Sequence, residues 1–197
     1  MSGPGQLILL GAGGHAKVVL ALARAAGLTV SGVCAPELAD IPFARWNDVP
    51  VLGDETILFE MGPRQVALIN GIGQMPGSTL RRDVFARFRS KGFIFPALVH
   101  PRAWVAPDVT LGMGVQIMAG AIVQPACRIG DNSVLNTGAQ ADHDCRVGAD
   151  VHIAPGAVLC GDVVVGNNAF VGAGAVVIQA VTIGPGAVIA AGSLTKK

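Results

Sequence analysis

The chain has 197 residues, a formal net charge of +1, 27 glycines and no tyrosine. That length suits one or two domains, each with its own core, and the near-neutral balance offers no basic surface for nucleic acid or for an anionic membrane. The four cysteines, Cys34, Cys127, Cys145 and Cys160, form neither a C-x-x-C pair nor a disulfide-dense framework, so the simplest reading is a reducing cytoplasm.

In chain order, Leu7–Leu10 reads as a short buried strand. No basic residue precedes it, and the run is too short for a signal-peptide core. Gly14–Ala26 reads as a helix with Val18, Val19, Leu22 and Ala23 on one face. Between them, Gly11-Ala12-Gly13-Gly14-His15-Ala16 fits G-x-G-x-x-A in a strand-to-helix context. Glycines there permit a tight turn and a close approach of phosphate to the helix N-terminus; the plainer alternative is a purely structural turn. Thr29–Cys34 and Val66–Asn70 read as further strands. Thr79–Lys91 reads as an amphipathic helix, its Arg and Lys residues opposite Leu80, Val84, Phe85 and Phe88. Strands alternating with helices predict parallel βαβ units over residues 1–97.

From Val99 the period changes to six. Stepping by six from Val99 to Ile189 meets sixteen residues, of which all but Ala141 are Val, Ile or Leu. A second stripe, four residues after each, is uniformly small, from Ala103 through Cys127, Ser133 and Cys145 to Ser193. Gly often follows the first stripe, as at Gly112, Gly130, Gly148, Gly166, Gly172 and Gly184. The pattern predicts a solenoid in which aliphatic residues fill the interior and Gly permits unusual turn geometry. No charged residue occurs from Val163 to Thr195, but recurrent Gly, Asn167, Asn168 and Pro185 fit a coil and not a membrane span. Cys127 and Cys145 lie on the small stripe as core fillers, and Cys160 points outward beside Gly161. His100 and Trp104 fall where the two halves join, where packing is the expected role.

The third and fourth positions of each hexad form an outward-facing corner, and one corner holds His143 and Asp144. An imidazole beside a carboxylate is a general-base arrangement, against the plainer reading of a solvated polar corner. His152 falls at the last position of its hexad, on a flat outer face. A corner and a whole side separate it from His143, and six residues of strand span ~20 Å. A site that uses both therefore lies between subunits. The outward residues Ile122, Val134, Val158 and Val164 would otherwise meet water, which also predicts an oligomer.

The hexads resemble the left-handed parallel β-helix acyltransferases. The segment Leu135-Asn136-Thr137-Gly138-Ala139 through His143-Asp144-Cys145, with the glycine turn at the N-terminus, resembles the PglD/NeuD-type bacterial sugar acyltransferases. The resemblance implies a Rossmann-like α/β domain over residues 1–97 that binds a nucleotide-sugar, followed by a left-handed parallel β-helix over 98–197. Three hexads make a coil in that family, so residues 18 apart stack. The implied activity is acetyl-CoA-dependent N-acetylation of the 4-amino group of a nucleotide-linked 4-amino-4,6-dideoxy sugar by a cytoplasmic homotrimer, without a metal and without nucleic acid or membrane as partner. His143 is then the general base and Asp144 its support. His152 contacts the acetyl-CoA side, Gly161 N–H binds the acetyl carbonyl, and Gly11, Gly13, Gly14, His15 and Asn136 belong to the substrate site.

The sequence departs from the family twice. The stretch after the second strand, Val33-Cys34-Ala35-Pro36-Glu37, lacks the usual Asp residues that contact the nucleotide. The sequence also stops at Lys197 inside a hexad, before the segment that caps the helix and touches CoA; either the chain is cut short or the CoA site is reduced. Competing readings are O-acetylation of a sugar of the sialic-acid type and a non-catalytic nucleotide-binding module. A zinc carbonic anhydrase on the same solenoid would need three histidines per metal, and His100, His143 and His152 lack a shared local spacing.

Overall fold

A computed structural model describes residues 5–41 and 44–196. The chain divides into two compact units, Met1–Pro96 and Ala97–Lys197.

The first unit is a parallel sheet with helices. Its elements are β1 (Gln6–Leu10), α1 (Gly14–Ala25), β2 (Val30–Cys34), a 3-10 turn at Pro36–Leu38, β3 (Arg45–Trp46), β4 (Val49–Gly53), α2 (Thr56–Met61), β5 (Val66–Asn70) and α3 (Leu80–Ser90). The strand order is β3-β4-β2-β1-β5, parallel except where β3 pairs antiparallel with β4. Ile8, Leu9 and Leu10 are fully buried, as a central strand covered on both faces requires. The chain leaves β1 toward β2 on one side, while β5 takes the other. A crevice therefore opens at the carboxyl ends, where the direction of winding switches.

Three details correct the sequence reading. On α1 the buried face is Ala16, Val19, Leu20, Leu22 and Ala23, while Val18 is exposed. On α3, Leu80 is exposed and Arg81 is buried. Arg81 Nη1 donates to the carbonyls of Asn70 (3.0 Å) and Ile72 (2.8 Å), and Asn70 Nδ2 donates back to Arg81 O (3.0 Å). A guanidinium can be buried when backbone acceptors satisfy it, and here it clamps the loop that follows β5.

The second unit is a three-sided parallel β-helix, left-handed as the family resemblance implies. Two-residue strands run from β6 (Leu98–Val99) to β22 (Leu194–Thr195), in parallel sheets of six, five and six strands. Residues 18 apart pair in register, for example Gln140 with Val158 and Arg128 with Arg146. Both stripes point inward: Ile117, Val123, Leu135, Ala139, Ala141, Cys145, Ile153 and Leu159 are fully buried. Each fully buried aliphatic contributes about 1.5–3 kcal/mol relative to exposure. Cys127 and Cys145 are core residues, their thiols donating to Asp142 O (3.0 Å) and Cys160 O (3.2 Å). The small stripe also accommodates Ser133, whose Oγ donates to Gly148 O (2.8 Å) and accepts from Val151 N–H (2.9 Å).

The glycines that follow the first stripe do a different job from the one expected. The left-handed backbone lies two residues later, at the fourth hexad position, occupied by Gly114, Gly120, Gly138 and Gly156 but also by Asn132, Asp144, Asp150, Asp162 and Asn168. Asn and Asp tolerate that region better than other side chains. Except at Gly184, the stripe glycines instead make room for the next coil. A Cβ on Gly130 would lie 2.6 Å from Gly148 C, and one on Gly166 would lie 2.5 Å from Pro185 N. Of the outward apolar residues, Val134 is already fully buried within the chain, while Ile122, Val158 and Val164 are half-buried. Trp104, expected to pack, is 58% exposed, and His100 Nδ1 accepts from Arg102 N–H (3.0 Å).

Candidate active site

His143 and Asp144 form the corner between β13 (Gln140–Ala141) and β14 (Arg146–Val147). Asp144 takes the left-handed conformation (φ 62°), and its N–H donates to Pro125 O one coil below (3.1 Å). His143 N–H donates to Asp142 Oδ1 (2.8 Å). The imidazole Nδ1 lies 2.8 Å from Asp144 Oδ2. With Nδ1–H donating to that carboxylate, Nε2 is left as the acceptor. Both side chains are open to solvent, at 61% and 57% exposure, so a substrate can reach them. The hydrogen bond to Asp144, reinforced by the negative charge of Asp142, raises the His143 pKa above the ordinary imidazole value.

Gly161 sits one coil above. A Cβ there would fall 2.6 Å from both Cε1 and Nε2 of His143, so the ring occupies space that only glycine leaves open. Among the described residues, no group accepts from the Gly161 N–H. At equivalent corners, Met113 N–H donates to Asp131 Oδ1 (2.8 Å) and Ala149 N–H to Asn167 Oδ1 (2.9 Å). The corner stacked above Gly161 carries the longer Gln179 in place of Asp or Asn. The corner thus presents a basic nitrogen beside an uncommitted N–H donor. Cys160 is half-buried and lines a shallow pocket beside the corner with Gln124, Gln140 and Asp142.

His152 is not brought to this corner. It lies on β15 (His152–Ile153), in a different sheet from β13 and β14. It is also not a surface residue, being only 6% exposed. Its ring stacks on Phe170 (centroids 5.0 Å apart, planes 7° from parallel). Asn136 joins it and not His143: Asn136 Nδ2 lies 3.5 Å from His152 Nε2, and Asn136 Oδ1 accepts from Thr137 N–H (2.7 Å). The sequence carries a signal for Phe170, which stands 18 residues after His152 on the same outward position.

In the first unit, Gly11, Gly13, Gly14 and His15 line a cleft of about 400 Å³ at the carboxyl end of the sheet, with Cys34, Glu37, Glu55 and the Gly71–Gly73 loop. Gly11 has φ +86° and donates its N–H to Cys34 O (2.7 Å). Gly13 caps α1 with extended backbone, and a Cβ on Gly13 or Gly14 would meet nothing within 4 Å. The first turn of α1 holds no acidic residue, so the positive end of the helix dipole at the cleft is left to favour an anion. Burial, and then the charge of Asp54, push the Cys34 thiol up to about 12, so it lines the cleft uncharged. The Gly71-Ile72-Gly73 run after β5 also went unread in the sequence, although it repeats the strand-then-glycine signal of Gly11. A Cβ on Gly71 would lie 2.6 Å from Leu10 O and within 3 Å of the Leu9 and Ala16 side chains, so the loop after β5 passes β1 too closely for a side chain.

A β-helix whose corner carries a supported imidazole defines the class: acyltransferases of the hexapeptide type. The profile described as bacterial transferase hexapeptide (six repeats) matches residues 144–179 and 162–197, and that of the PglD N-terminal domain matches residues 6–88. Among solved structures, a point mutant of perosamine N-acetyltransferase from Caulobacter crescentus, in complex with CoA and GDP-perosamine, is 38% identical, with 98% of this chain and 89% of that chain covered and a TM-score of 0.89. The acetyltransferase domain of PglB from Neisseria gonorrhoeae FA1090, in complex with acetyl coenzyme A, is 36% identical over 96% of this chain and 90% of that one, with a TM-score of 0.86. WeeI from Acinetobacter baumannii AYE is 25% identical, covering 98% and 92%, with a TM-score of 0.84. No curated protein matches the chain. The chain belongs to the PglD-type family of bacterial sugar N-acetyltransferases, enzymes that use acetyl-CoA.

Among the described residues, no group of three or more His, Cys, Asp and Glu side chains is arranged to hold a metal ion. No helix among them is long and apolar enough to cross a membrane.

Proposed function

We propose that the protein transfers the acetyl group of acetyl-CoA to the 4-amino group of a nucleotide-linked 4-amino-4,6-dideoxy sugar, with His143 as the general base. The observation that carries this reading is the His143 ring held by Asp144 at 2.8 Å and seated over Gly161. Nε2 takes a proton from the amine as its nitrogen attacks the thioester carbonyl. The developing oxyanion accepts from Gly161 N–H, the C–S bond breaks, and CoA leaves as the thiolate, which takes up a proton. Asp144 fixes the ring and stabilises the imidazolium. The cleft at Gly11, Gly13, Gly14 and His15 holds the diphosphate end of the acceptor at the N-terminus of α1. His152, stacked on Phe170 and joined by Asn136, serves the acetyl-CoA side.

His143 and His152 lie on different sides of one coil, so one active site that uses both takes them from adjacent subunits. This supports a homotrimer acting in the cytoplasm, and the free cysteines agree with that compartment. The test is acetyl-CoA turnover with a panel of GDP-, UDP- and dTDP-linked 4-amino sugars, with matched 4-hydroxy sugars as controls. The reading expects amide formation with at least one amino sugar and none with its hydroxyl counterpart. Acetylation of hydroxyls alone, or of nothing, would refute it.

A further inference from the structure

The β-helix is poor in cations. Residues 99–197 hold only Arg102, Arg128, Arg146, Lys196 and Lys197. Two of these five stand in register one coil apart on the same outer face, Arg128 on β11 (Arg128–Ile129) and Arg146 on β14. Neighbouring strands are ~4.8 Å apart, so the two guanidinium groups stem from adjacent rungs. Like charges placed directly opposite one another destabilise a sheet, and most outward positions here are neutral. Arg146 Nη2 donates to Asp162 Oδ1 at 3.3 Å, whereas Arg128 has no ion pair among the described residues. Asp144, which lines the depression with them, is already engaged by His143, and Asp108 Oδ2 accepts from Ala126 N–H (2.9 Å). The two arginines line a depression of about 300 Å³ with Ala126 and Asp144, and Arg146 is three residues from His143.

We propose that Arg128 and Arg146 form a phosphate-binding subsite next to the reacting corner. Two planar guanidinium forks on adjacent rungs can share the oxygens of one phosphate or pyrophosphate, and the anion removes the repulsion between them. This deepens the transferase reading and rests on it for the choice of ligand, because both substrates of that reaction carry phosphates: the acceptor in its diphosphate linkage, and the donor in its pyrophosphate and 3′-phosphate.

The test measures binding by the full chain, without turnover, by calorimetry. The probes are adenosine 3′,5′-bisphosphate for the donor and GDP or UDP for the acceptor. Arg128→Ala and Arg146→Ala should each weaken one probe by ~10- to 100-fold, the range for a lost charge-assisted hydrogen bond, and leave the other within twofold. Thermal unfolding should stay unchanged or rise, since a like-charge pair is broken. Arg128→Lys keeps the charge but loses the fork and should fall between parent and Ala variant. Loss on the bisphosphate arm, with 3′-dephospho-acetyl-CoA insensitive to the substitutions, assigns the site to the donor; loss on the nucleoside diphosphate arm assigns it to the acceptor. Folded Ala variants that bind both probes within twofold of the parent would overturn the proposal. Because the readout is binding, a chain that acetylated no amino sugar would sink the transferase reading and still leave this result legible.

Discussion

Two pairs of glycines, one pair in each unit, serve opposite purposes. In the α/β unit, Gly13 and Gly14 stand before open space at the cleft. In the β-helix, Gly130 and Gly166 are closed off by the backbone of the next coil. Gly161 combines the two: it lies in the β-helix, at an outward corner and not in the stripe series, and the space that a side chain there would take is filled by the His143 ring. Open space beside a cleft at a helix N-terminus suits a ligand, contact with the next coil's backbone suits packing, and contact with a candidate base suits a base that has been given its place.

The sharpest break of this comparison is Gly161→Ala. The added methyl would collide with Nε2 and Cε1 of a ring that is free to swing outward. Stability should hardly change, while kcat should fall by about 10²-fold or more, close to the loss from removing the base itself. Steady-state kinetics beside a thermal melt checks this, and unchanged kcat would show that the ring position is not catalytic.

Gly13→Val should raise the acceptor KM by at least about tenfold, as bulk blocks the approach of phosphate to α1. The acetyl-CoA KM should stay near parental and the fold should survive, since a Cβ at Gly13 meets nothing within 4 Å. Gly130→Ala is its counterpart: both substrates should bind normally in what remains folded, with stability lower by about 1–3 kcal/mol from overpacking. If both variants lost stability alike, the contrast between open and closed glycines would fail.

The smallest effect is expected from Asp144→Asn. Asn occupies the same left-handed position at Asn132 and Asn168, so the corner keeps its backbone. Asp144 is the main reason that the His143 pKa is raised. The base form of the parent therefore appears only above that raised value, and kcat/KM falls as pH drops through it. Without the carboxylate the pKa returns toward the ordinary imidazole value, so the acid limb moves to lower pH while the plateau drops by about tenfold. A pH–rate profile that did not move would separate Asp144 from the titration of His143.

The β-helix was legible because a six-residue period with buried stripes leaves few alternatives, and the His143–Asp144 corner followed from counting. The reason for the stripe glycines was not legible, since close stacking and unusual φ call for the same residue. The burial of His152 was hidden as well, because an outward position says nothing of a Phe170 stacked one coil above. The stretch from Ala35 to Pro63 shows no secondary-structure period in the sequence. Its strands are short, and Pro50 interrupts β4, so neither period develops. Arg81 looked like a solvated helix residue because its acceptors, the carbonyls of Asn70 and Ile72, belong to a loop whose path only the fold defines.

The most direct test of the central claim is the kcat of His143→Ala, measured with acetyl-CoA and the acceptor that the panel identifies. Alanine already stands at the same corner position at Ala119, Ala149 and Ala173, so the fold tolerates it. The account predicts that kcat falls by ~10²–10⁴-fold, the usual contribution of a general base, with both KM values nearly unchanged, because the imidazole acts mainly in the transition state. A folded variant that retained near-parental kcat would contradict it.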